Sequence, residues 1–164
     1  MSETISRFAP KPLFTFVATG EVITWAILIT GLIFRAVGVD PIVVTIGGSI
    51  HGAMFLSYGV IAALVGVNQR WKTSRTISAV ALAIVPFATL PFERSLAKKK
   101  LLEGEWRTSK SDDPKDEGWF DSLFRWFIGR PFLLILAMAV VVSIIFLTLL
   151  WLGSPTEWGE RFAD

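Results

Sequence analysis

Residues 131 to 152 read PFLLILAMAVVVSIIFLTLLWL, 22 positions with no charged side chain and only Ser143 and Thr148 as polar groups. As a helix this run extends about 33 Å, enough to cross a hydrocarbon core roughly 30 Å thick. Two further runs have the same reach, residues 13 to 36 and 43 to 67, interrupted in their interiors by Glu21 and His51. A chain with so much uninterrupted apolar surface has lipid as its solvent, where only helices and closed barrels satisfy their own backbone. Runs of this length predict helices.

Composition agrees. Apolar residues make up 52% of the 164 positions and charged residues 18%, with a mean hydropathy of +0.57, which excludes an ordinary soluble domain. The chain has no cysteine, so a disulfide, a thiol nucleophile, a thiolate-ligated metal and a lipoprotein anchor are excluded. The net charge of +2 conceals a basic stretch from Arg94 to Arg130 and an acidic end with Glu157, Glu160 and Asp164. That asymmetry reports on membrane orientation, and no nucleic-acid partner is needed to explain it.

The first span, LFTFVATGEVITWAILITGLIFRA, follows Arg7 and Lys11 but is too long for a signal-peptide core and carries Glu21, so it is read as retained. Gly38 and Asp40-Pro41 form a tight connection to the second span, which ends at NQRWKTSR. Within it Gly52, Gly59 and Gly66 recur every seven residues, and Gly48 and Gly52 form a GxxxG pair. A small-residue stripe lets a neighbouring backbone approach, either inside the chain or in a dimer. A third span is predicted from about Thr76 to Phe92, shorter and kinked by Pro86 and Pro91.

Residues 96 to 117 read as a polar linker, broken by SDDPKDEG. In the segment 118 to 129, Trp119, Phe120, Phe124, Trp126 and Phe127 are candidate interfacial anchors. Trp119, Phe120, Leu123, Phe124 and Phe127 share one helical face, opposite Asp121, Ser122 and Arg125, as in an amphipathic helix at headgroup depth. A membrane-proximal turn with an aromatic belt reads equally well. Residues 130 to 152 form a fourth span with no chemistry to offer, an anchor or docking helix, and 153 to 164 an acidic tail. The expected fold is an all-α membrane protein of about four transmembrane helices. Residues 13 to 95 form a compact three-helix bundle behind an N-terminal segment, 1 to 12.

Four spans place the N-terminus, the 68 to 75 loop and the tail on one side with six Lys and Arg. The 37 to 42 and 93 to 130 loops lie on the other side with ten. The positive-inside rule then puts the 93 to 130 loop in the cytoplasm and both termini outside.

Glu21 and His51 are costly at membrane depth and are therefore candidates for a task. Antiparallel helices bring them within about 10 Å along the membrane normal. They read either as a proton-handling pair or as a polar pin between two helices, with Thr19, Thr24, Ser49 and Tyr58 as further partners. A single histidine offers no haem or metal ligand set, and no phosphate loop or catalytic triad spacing is present, so neither cofactor nor enzymatic activity is expected.

The segments TGEVITWAILI, HGAMFLSY and VPFATLPFER, in this order over residues 13 to 95, resemble a family. It comprises small three-helix bacterial membrane proteins of unknown function, widespread in actinobacteria. The family pattern falls on Glu21, His51, Gly52, Pro91 and Glu93, while residues 101 to 164 extend beyond it. Some members are similar to an accessory factor of the actinobacterial cytochrome bcc and cytochrome c oxidase supercomplex. The resemblance implies a non-catalytic accessory subunit in the plasma membrane, with other integral membrane subunits and the bilayer as partners. A small proton-coupled carrier built on Glu21 and His51, and a scaffold self-associating through the glycines, are the alternatives.

Overall fold

A computed structural model of the chain describes residues 9 to 112 and 114 to 153, with the backbone alone at Pro114, Lys115 and Leu150. The start of the N-terminal segment and the acidic tail beyond Gly153 lie outside the described residues. The described chain is helical throughout its ordered elements. The helices are α1 Pro10–Ala36, α2 Ile42–Asn68, α3 Thr73–Ala81, α4 Thr89–Lys98, α5 Trp119–Ile128 and α6 Pro131–Leu152. Short 3-10 turns cover Leu82–Ile84 and Pro114–Glu117.

α1 opens on prolines, whose missing N–H groups fall where a helix has no intrahelical acceptor. It runs unbroken past Glu21 and ends before Gly38, whose φ of +89 suits glycine. Asp40 then accepts the Ile42 N–H at 2.9 Å and starts α2. The two helices pack antiparallel and very closely: a Cβ at Gly31 would lie 3.1 Å from the Val43 carbonyl oxygen, and one at Gly47 would lie 3.5 Å from Ile27 and Leu28. With no hydrophobic drive between helices in lipid, such close packing supplies the attraction.

The predicted third span does not form as one helix. α3 gives way to a 3-10 turn, the chain reverses over 85 to 88, and α4 begins at Thr89. Pro86 has no N–H to continue the ladder, and Phe87 adopts a left-handed φ of +64, so the helix stops there rather than bending. Pro91 falls in the first turn of α4, where it interrupts nothing. The membrane fold is all-α as expected, but among the described residues three continuous helices, α1, α2 and α6, are long and apolar enough to span.

Side-chain contacts trace where the reversed chain goes. Trp25 Nε1 donates to the Ala83 carbonyl at 3.1 Å, Thr89 Oγ1 to Ala18 O at 3.1 Å, and Thr15 Oγ1 to Glu93 Oε1 at 2.6 Å. The partners on α1 thus step from 25 to 18 to 15, back toward its N-terminal end, and Trp71 Nε1 then meets Leu101 O at 2.9 Å. α3 and α4 are a re-entrant hairpin that enters and leaves at the same end of the bundle. The 68 to 75 and 93 to 130 segments, expected on opposite sides, therefore lie together. α6 runs from that end to the other: Leu134 and Met138 line a cavity with Val60 and Leu64, while a Cβ at Gly52 would sit 3.2 Å from Phe146. Pro10 and Leu152 consequently fall at opposite ends, which corrects the expectation that both termini share a side.

The core gathers Phe14, Val17 and Ala18 of α1, Tyr58, Ile61, Ala62 and Val65 of α2, and Trp71, Ala79, Ala83, Leu96 and Leu102 from the hairpin and its flanks. α6 contributes little to it, and none of its membrane window is buried against the chain.

Candidate functional site

Glu21 and His51 meet. Glu21 is fully buried, and its Oε2 lies 3.9 Å from His51 Nδ1. That distance is ionic contact rather than a hydrogen bond. Thr24, one turn along α1, donates its hydroxyl proton to Glu21 O at 3.1 Å, and its oxygen lies 3.2 Å from His51 Nδ1. The single hydroxyl proton of Thr24 serves one of these partners at a time: Thr24 accepts from Nδ1 when it donates to Glu21 O, and donates to Nδ1 in the other tautomer. Trp25 and Phe55 flank the imidazole at centroid distances of 4.3 and 6.2 Å. Of the other proposed partners, Thr19 is exposed and bonds its own helix at Thr15 O. Tyr58 is buried two turns beyond His51.

Among the described residues, neither carboxyl oxygen of Glu21 nor the Tyr58 hydroxyl has a hydrogen-bond partner. Buried polar groups without partners are costly and uncommon, so the interior of this bundle holds unmet hydrogen-bonding capacity beside its one imidazole. The chemistry available is exchange of a proton between carboxylate and imidazolium, or a fixed ion pair. Among the described residues no three His, Asp or Glu side chains converge to hold a metal ion.

The glycines divide among three neighbours. Gly48 faces Leu28 of α1, Gly52 faces Phe146 of α6, and Gly59 and Gly66 face Val80 and Thr76 of α3. Each lies against another helix of the same chain. Gly20, Gly31 and Gly47, outside the seven-residue repeat, also make close approaches.

The aromatic segment forms the helix α5. Trp119, Phe120 and Trp126 are exposed, Phe127 is half-buried, and Phe124 is buried with the Arg107 guanidinium 5.4 Å from its ring centre.

Sequence reasoning missed a second polar cluster, because residues 96 to 117 read as a plain linker. Instead this stretch folds over the end of α2. Arg107 donates to Val67 O and Asn68 O at 2.8 and 2.9 Å, and its main-chain N–H donates to Asn68 Oδ1 at 2.8 Å. A helix end leaves carbonyls unpaired and carries partial negative charge, and one guanidinium answers both. Its Nη1 also reaches Asp116 and Asp121 at 2.9 and 2.8 Å, and Arg70 and Arg125 join Asp116. The Ser111 hydroxyl and N–H, with Arg70 beside them, hold the Asp116 carboxyl well below the usual carboxylate range against the opposing effect of burial. The sequence signal was the alternation of acids and bases from 103 to 117, which a solvated linker shows equally.

Residues 12 to 98, which comprise nearly all of α1, α2 and the whole hairpin, match the family model described as a domain of unknown function, DUF3817. SCO5905 of Streptomyces coelicolor, named as a membrane protein, is 37% identical over 82 residues, covering 49% of this chain and 10% of that protein. The uncharacterized membrane protein YdzA of Bacillus subtilis is 32% identical over 60 residues, covering 37% of this chain and 62% of that protein. The matched segment thus spans less than two thirds of either relative. No solved structure matches. The buried Glu21–His51 contact and the re-entrant hairpin both lie inside the matched region, and this helical membrane protein belongs to the DUF3817 family.

Proposed function

We propose that the protein is a non-catalytic accessory subunit of a larger integral membrane assembly in the bacterial plasma membrane. The sequence resemblance points to a respiratory supercomplex. The observation that carries this reading is α6: 22 residues without a charge that hold the chain in lipid while leaving Leu136, Ile144 and Leu147 about 60% exposed. A featureless helix appended to a self-contained pinned bundle suits lateral docking. The carrier reading has less behind it: among the described residues, the cavities that Val67 and Phe120 border are lined by neither Glu21 nor His51. Mild solubilisation of the tagged full chain, followed by mass spectrometry, should recover respiratory subunits in stoichiometric amount, and their absence would end this reading.

The same proposal sets the protein with Pro10, the 68 to 75 turn and the 99 to 130 segment in the cytoplasm. Lys11, Arg70, Lys72, Arg75, Lys98, Lys99, Lys100, Arg107, Lys110, Arg125 and Arg130 all belong to that end, whereas Arg35 is the described basic residue at the other. That contrast is what the positive-inside rule reads. Since the chain lacks cysteine, single thiols at Lys72→Cys, Lys99→Cys and Val39→Cys can be labelled in intact cells with an impermeant maleimide. Labelling of Val39→Cys alone is expected, and labelling of Lys72→Cys or Lys99→Cys would reverse the orientation.

A further inference from the structure

Two cavities meet at the end of α2 beneath α5, and their walls differ in kind. One, of about 410 Å³, is walled by apolar side chains alone, among them Val60 and Leu64 of α2, Phe124 of α5, and Leu134, Ala137 and Met138 of α6. The other, of about 400 Å³, is walled by Arg70, Thr73, Thr76, Arg107 and Asp121 together with Trp71. Val67 and Phe120 border both. Each volume is within the usual range for a small-molecule site, roughly 300 to 1,000 Å³. Side by side they form one amphiphilic site at the level of the amphipathic α5, where headgroups meet acyl chains.

We infer that this double cavity holds one anionic phospholipid, with an acyl chain between α2 and α6 and the phosphate beside Arg70 and the start of α3. The charge favours an anion. Arg70 and Arg107 stand in the wall of the polar cavity with one carboxylate, that of Asp121. Exposed Lys72 adjoins the polar wall, and the Thr73 and Thr76 hydroxyls can donate to phosphate oxygens. An apolar molecule would fill the first cavity and leave the second without a complement, and a free phosphate would do the reverse. A phospholipid satisfies both, and this inference needs no protein partner.

Native mass spectrometry of the delipidated full chain tests it, with dioleoylphosphatidylglycerol, dioleoylphosphatidylcholine and dioleoylglycerol as probes. One phosphatidylglycerol should bind, with the other two weaker by about tenfold. Ala137→Phe fills the apolar cavity and should abolish the preference, whereas Val140→Phe on the exposed face should keep it. Thr73→Glu places a carboxylate at the polar wall, at a helix start that tolerates one, and should lower phosphatidylglycerol binding to the phosphatidylcholine level. Equal binding of all three lipids would overturn the inference. So would unchanged phosphatidylglycerol preference in both Ala137→Phe and Thr73→Glu, or a dimer mass in place of the lipid adduct.

Discussion

Trp25 donates its indole N–H to the main-chain oxygen of Ala83 across 3.1 Å, and this bond ties the spanning helix α1 to the tip of a hairpin that spans nothing. The Ala83 carbonyl is at the end of a helix that Pro86 prevents from continuing, so the indole supplies what the backbone ladder cannot. Trp25→Phe keeps the ring and removes the donor. It is expected to cost about 1 kcal/mol, the scale of a hydrogen bond lost with its acceptor left buried. A thiol placed by Val85→Cys should be alkylated faster in the Trp25→Phe background, and equal rates would count against the bond as the tie.

Glu21 and His51 are 3.9 Å apart, and Thr24 bonds the main chain of one and faces the ring of the other. If they are a pin, they are energetically coupled. In a cycle of Glu21→Gln, His51→Gln and the double variant, unfolded by sodium dodecyl sulfate, the coupling should be about 1 kcal/mol, the scale of polar interhelical contacts in lipid. Additive losses would show two independent polar groups. The carrier reading makes a different demand, proton flux in proteoliposomes that Glu21→Gln abolishes without loss of folding.

The Glu21–His51 pair was legible because an ionisable group in an apolar run stands out and because antiparallel helices of known rise fix its depth. The spans of α1, α2 and α6 were legible from length alone. Thr76 to Phe92 misled because hydropathy cannot distinguish a kinked span from a re-entrant hairpin: Pro86 allows both outcomes. The Trp25–Ala83 and Thr89–Ala18 bonds are what decide between them, and they join residues far apart in the chain. That one error separated the 68 to 75 turn from the 93 to 130 segment, which the hairpin brings to the same end of the bundle. Asp116 was invisible for a related reason, since its partners Arg70, Arg107 and Arg125 converge only once the hairpin has returned.

Gly66 and Gly48 look equivalent in the sequence stripe but should respond differently to alanine. A Cβ at Gly66 would meet the Thr76 side chain far inside contact distance, whereas at Gly48 the nearest atom is a Leu28 methyl at 3.8 Å. Gly66→Ala is expected to destabilise by about 1–3 kcal/mol through overpacking, and Gly48→Ala to be close to neutral. The Gly66→Ala loss should shrink when Thr76→Ala makes room. Unfolding in detergent reads all four variants, and equal effects at both glycines would show that neither contact sets the packing.

Asp116 gives the charged cap a pH dependence of definite sign. Its carboxyl is held below the ordinary value for aspartate by Ser111 and Arg70, so the folded cap binds fewer protons than the unfolded chain as the solution is acidified. The stabilisation it contributes is therefore complete above the ordinary aspartate pKa, about 3.9. It is lost progressively as the pH falls below that value toward the depressed folded one. Acid should release the 101 to 117 segment from the end of α2 before the close approach of Gly31 to Val43 yields, since neither of those two residues carries a titrating group. Limited pepsin digestion from pH 5 downward checks this: cleavage within 101 to 117 should rise in the wild type, while Asp116→Asn should be cleaved readily across the whole range. A wild-type cap that resists pepsin to the bottom of the series would mean that the network of Arg70, Arg107 and Arg125 does not depend on that carboxylate.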